Sequence, residues 1–84
     1  MEICFRDARL SDVVQGVTAV VSEGVLVYRV FVTAEALVEL GASEDPRTWL
    51  PAFHRHAVRI AERVAERPRK TADGTAIIET FGPG

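Results

Sequence analysis

Apolar and polar residues alternate at the start of the chain, where Ile3 and Phe5 interleave with Glu2 and Cys4. That two-residue period predicts a short first strand, ending at the polar stretch Arg6 to Asp12. Gly16 then opens a second strand, Val17 to Ser22, and Val25 to Val32 is rich in β-branched and aromatic residues and short for a helix. The two runs predict a β-hairpin. With Glu23-Gly24 as a two-residue loop, Ser22 pairs with Val25, Val21 with Leu26, Ala19 with Tyr28 and Val17 with Val30. One face then carries Val17, Ala19, Val21, Leu26, Tyr28, Val30 and Val32. The other carries Thr18, Val20, Val27, Arg29 and Phe31. A slip of one residue in register would change which side chains share a face.

Helical signals follow. Thr33 is placed to cap a short helix, Ala34 to Leu40, because its hydroxyl can accept an early backbone N–H. Glu35 sits at the positive end of that helix, and Gly41 supplies a left-handed stop. Leu37 and Leu40 point inward on this reading. Proline is tolerated only where no intrahelical N–H is needed, so Thr48 as cap puts Pro51 harmlessly in the first turn of a main helix. That helix is expected from Trp49 to Arg67, with Pro68 ending it. Its apolar stripe comprises Trp49, Leu50, Phe53, Ala57, Ile60, Ala61 and Val64. Asp73-Gly74 is a turn signal joining an edge segment, Arg69 to Ala72, to a last strand, Thr75 to Phe81. The order β-β-β-α-α-β lacks regular strand-helix alternation. It predicts one α+β domain over residues 1–84, a mostly antiparallel sheet with one short and one long amphipathic helix on one face.

Composition narrows the class. Apolar residues make up 48% and charged residues 26% of 84 positions, the balance of an ordered globular domain rather than a disordered chain. The longest apolar run, Val25 to Val32, is broken by Arg29 and falls well short of the roughly 20 residues a membrane span needs. No basic-then-apolar leader opens the sequence, and the single Cys4 can close no intrachain disulfide, so a reducing, cytoplasmic location is expected. Net charge is −2 but unevenly spread: residues 1–45 hold three basic and eight acidic side chains, and residues 46–70 hold seven and two.

A strand starting Ile3-Cys4-Phe5, a Val-rich hairpin and the run Val32-Thr33-Ala34-Glu35-Ala36-Leu37 precede Trp49-Leu50, Ala52-Phe53, His56, Ile60-Ala61 and Asp73-Gly74. Together these resemble the small bacterial family called domain of unknown function 1488, over nearly the whole chain. The shared positions are packing and capping positions, so the resemblance implies a fold. It implies no activity, substrate or catalytic residue.

His54 and His56 lie about 200° apart on a helix and cannot share a metal ion, and neither has a ligand-type residue one turn away. Both are expected as half-buried boundary histidines. Glu62 and Glu66 share a face but stand among Arg55, Arg59 and Arg63, which keeps both ionised as solvated ion pairs. Cys4 has no partner base. No catalytic, cofactor-binding or metal-binding residue is therefore assigned, and no cofactor is expected. Two surfaces are left. Arg55, Arg59, Arg63 and Arg67 recur every four residues and form a basic ridge that could meet phosphates, although Glu62 and Glu66 interrupt it and no exposed aromatic is interleaved. Val20, Val27 and Phe31 beside Arg29 form an apolar cluster that either meets a partner or lies beneath the short helix or the last strand. The expected function is a non-catalytic interaction or regulatory module with a protein partner, such as a second copy in a homodimer. A nucleic-acid binder is the second reading and a small-molecule binder or enzyme the third.

Overall fold

The computed structural model describes residues 3–11, 15–66 and 70–81. Three consecutive strands form an antiparallel meander: β1 (Ile3–Leu10), β2 (Gly16–Glu23) and β3 (Leu26–Thr33). Helix α1 (Ala34–Glu39), a short 3-10 turn (Pro46–Thr48), α2 (Trp49–Arg55) and α3 (Ala57–Ala65) follow, and β4 (Ala76–Ile78) closes the order. β4 joins the edge of β3 in parallel, so the sheet runs β1-β2-β3-β4. This is the expected mostly antiparallel α+β fold.

The hairpin turns one residue later than expected. Gly24 and Val25 form the loop, with Gly24 at φ 62°, and Glu23 pairs with Leu26. A positive φ at the first loop residue is costly for any residue but glycine, so Gly24 sets the position. The pairing is thereby displaced by two residues, Val17 meeting Val32 and Ala19 meeting Val30, and an even displacement leaves the two faces as read. Val17, Ala19, Val21, Val30 and Val32 are buried and join Leu37, Trp49, Phe53, Ile60, Val64, Ala76, Ile78 and Phe81 in one core. Each large aliphatic side chain buried in this way contributes about 1.5 to 3 kcal/mol. Phe5 from β1 meets Phe53 edge-on, with ring centroids 5.3 Å apart.

β1 is longer than its apolar start suggests. Arg6 pairs with Val20 and Arg9 with Thr18, so Asp7 and Ala8 together face one residue of β2. Asp7, at φ 55°, is the pivot of this β-bulge. The extra residue resets the alternation: Phe5 and Ala8 pack on the core, while Arg6 and Arg9 share the opposite face. An expected end of strand is thus a bulge.

The caps follow the sequence in part. Thr33 Oγ1 accepts the N–H of Ala36 at 3.2 Å, as expected of an N-cap. Gly41, at φ 104°, turns the chain after α1, and the N–H of Ala42 reaches back to the Leu37 carbonyl. Thr48, by contrast, makes no capping bond to α2. Asp45 does the work one turn earlier by accepting from the Arg47 N–H at 3.0 Å, and the 3-10 turn runs straight into α2. Thr48 Oγ1 donates instead to the Asp45 carbonyl at 2.7 Å.

The expected single long helix is two. His56, at φ −111° and ψ 28°, leaves helical geometry between α2 and α3. The change of direction lets α2 lie on β1 and β2 while α3 contacts both β1 and β4 across a twisted sheet. Its expected end, Arg67-Pro68, lies outside the described residues, as does Arg69. The turn at Asp73-Gly74 is present, with Lys70 bridged to Ala76, and the regular part of the last strand is confined to Ala76–Ile78.

Candidate functional site

The helices and the core cluster occupy one side of the sheet. Outward-facing side chains on the other side fall into rows set by the register. Cys4, Ser22 and Val27 make one row, Arg6, Val20 and Arg29 the next, and Arg9, Thr18, Phe31 and Ile77 the third. The four residues singled out in the hairpin, Val20, Val27, Arg29 and Phe31, are therefore together. Val20 and Phe31 are half-buried and Val27 and Arg29 exposed, and none belongs to the core cluster. The last strand extends this face at Ile77 rather than covering it.

Phe31 is held in place by an absence. An added Cβ on Gly16 would stand 2.3 Å from the Val32 carbonyl oxygen and 2.8 Å from the Phe31 ring. Gly16, at φ 153°, thus leaves the space beside its Cα to the Phe31 ring. Beside the ring is an open depression of about 790 Å³, floored by Thr18 and Ile77 and walled by the turn at Thr71–Thr75. That turn is fixed locally: Asp73 Oδ1 accepts from Thr71 Oγ1 and from the Thr75 N–H, and these bonds lower its carboxyl pKa below the ordinary aspartate value. At the opposite end of the face the hairpin tip is apolar and open, with Val25 99%, Leu26 56% and Val27 60% exposed.

The basic ridge is only partly available. Arg59 donates to the Phe81 carbonyl at 3.3 Å and stacks over the Phe81 ring at 5.5 Å. Arg63 donates to the Thr80 carbonyl at 3.2 Å and pairs with Glu66 at 3.4 Å. Glu39 at the end of α1 accepts from the Thr80 hydroxyl and the Phe81 N–H, both at 3.0 Å. Two of the ridge arginines are thus members of a clasp on the segment after β4. Arg55 is exposed, and Arg67 lies outside the described residues.

His54, within α2, is exposed, against the expectation of a half-buried position, and His56 is half-buried at the break that follows it. Among the described residues no three His, Cys, Asp or Glu side chains converge as a metal site, and none of the buried side chains is polar or charged. Cys4 is exposed on the first strand. Arg6 and Arg9 went unnoticed in the sequence because a bulge without glycine leaves no mark there. No family model, curated protein or solved structure matches the chain.

Proposed function

We propose that the protein is a non-catalytic interaction module whose working surface is the outer face of the sheet. The observation that carries this reading is that Val20, Val27, Arg29 and Phe31 share a sheet face lying outside the core cluster, continuous with an exposed apolar hairpin tip. Apolar clusters rimmed by charge are the composition of partner surfaces. A ridge that spends Arg59 and Arg63 on backbone carbonyls makes the nucleic-acid reading the weaker one. A reducing compartment and kinship with the domain of unknown function 1488 belong to the same proposal.

Light scattering on wild type and Val27→Asp, alone and with any captured partner, tests it. Association should persist in moderate salt and be lost in the variant, because a carboxylate in an apolar contact must be desolvated. A wild type that stays monomeric and binds duplex DNA through Arg55, Arg59 and Arg63, with affinity collapsing in salt, would replace this reading with the nucleic-acid one.

A further inference from the structure

The acidic half of the chain puts all its cations in one place. Residues 1–45 contain eight carboxylates and only three basic side chains, Arg6, Arg9 and Arg29. All three stand on the outer sheet face, Arg6 and Arg29 on either side of Val20 and Arg9 beside Thr18. Their strands are separated by two spacings of about 4.8 Å, so Arg6 and Arg29 stand roughly 10 Å apart at the backbone, within reach of one extended ligand. Each is exposed, and none is in an ion pair among the described residues. Arg9 is there only through the bulge at Asp7, which sets its side chain on the same face as that of Arg6.

We propose that this face takes a short extended acidic segment of another protein. Its carboxylates would be held by Arg6, Arg9 and Arg29, and its apolar side chains laid on Val20, Val27 and Phe31. The inference rests on the reading of the outer face as the interaction surface, and it names the partner's chemistry. Guanidinium groups bind carboxylates in paired, planar contacts, and among the described residues none of these three is ion-paired to a carboxylate. Charge also argues against a second copy. Face-to-face contact would gather six guanidinium groups into one desolvated layer. A long polyanion fits poorly as well. Asp73 and Glu79 stand at the β4 end and limit the positive area to β1 through β3, and Phe31 is the single aromatic, its ring laid over Gly16.

Fluorescence anisotropy with three labelled probes tests the proposal: a peptide of about eight residues alternating Glu with Leu, its Gln-for-Glu counterpart, and an oligothymidylate of similar length. The Glu peptide should bind wild type at least about tenfold more tightly than the Gln peptide at about 50 mM salt, with the advantage shrinking at about 300 mM. Arg6→Gln combined with Arg29→Gln should erase that advantage, and Val27→Asp should weaken both peptides; circular dichroism confirms that each variant is folded. Equal binding of the two peptides, still lost in Val27→Asp, would overturn the acidic partner and leave the face reading standing. Peptide binding indifferent to Val27→Asp would overturn the face reading itself. Absence of Glu-peptide binding, tighter binding of the oligothymidylate, or a salt-resistant dimer lost in Val27→Asp would each overturn the acidic-segment proposal.

Discussion

The two faces of this sheet are built from alternate residues of the same strands, yet they obey different rules. Inward, Val17, Val21, Val30 and Val32 are fully buried against helices and admit no polar atom. Outward, Thr18, Val20, Val27, Arg29 and Phe31 mix hydroxyl, aliphatic, guanidinium and aromatic groups and pack on no helix in the core cluster. Stability therefore resides on one side, and the other is free to carry recognition. An antiparallel sheet can hold both roles because successive side chains point to opposite sides.

The largest expected effect tests the inner face. Phe53→Ala removes a fully buried ring in contact with Phe5, and should cost about 3 to 5 kcal/mol in chemical denaturation. A loss below about 1 kcal/mol would mean that the core is centred elsewhere. Gly16→Ala probes the one place where the outer face is also tight. A methyl group there collides with the Val32 carbonyl and displaces Phe31, so unfolding measurements should show a loss of about 1 to 3 kcal/mol. If the loss were negligible, Phe31 would not be fixed by Gly16. Val27→Ser, on the open face, should change the stability of the isolated protein by less than about 0.5 kcal/mol, and a larger loss would erase the contrast between the faces.

Smallest is the response to acid. Hydrogen bonds from the Arg47 side chain and backbone N–H lower the Asp45 carboxyl pKa, and those from Thr71 and Thr75 do the same for Asp73. A carboxyl whose pKa is lower folded than unfolded adds stability above its unfolded value of about 3.9, and that stability disappears as pH falls through the lowered folded value. Asp73 is exposed and Asp45 partly so, and both carboxylates stay in contact with water, so the decline should be shallow, and Asp45→Asn with Asp73→Asn should flatten it. An unchanged acid limb in the double variant would assign the decline to other carboxylates.

How far the sequence discloses this structure depends on whether a feature leaves a chemical mark. The hairpin faces were legible because alternation survives any even displacement, and the cap at Thr33 because a hydroxyl before an Ala-Glu-Ala-Leu run has one obvious use. The bulge at Asp7 and the break at His56 were not legible. Neither has a glycine or proline at its pivot, and each is set by what the segment packs against. The same limit hid part of the candidate site: Val20, Val27, Arg29 and Phe31 could be grouped from one hairpin, but Arg6 and Arg9 join them only through the bulge. Conversely, the four-residue period of the ridge gave no sign that Arg59 and Arg63 would be tied to the carbonyls of Phe81 and Thr80.

The parallel seat of β4 beside β3 governs when the molecule can become whole. Thr33 and Glu79, at matching ends of that pair, are 46 positions apart in the chain, whereas β1, β2, β3 and α1 meet their neighbours locally. Contacts that close long loops form slowly, so the meander can assemble while α2, α3 and β4 are still emerging from the ribosome. Until β4 arrives, the flank of β3 at Val30–Val32 is an open edge, and the core lacks Ile78 and Phe81. In the nascent chain that open flank is a strand-pairing template, and the clasp of Glu39, Arg59 and Arg63 is the latch that ends the exposure.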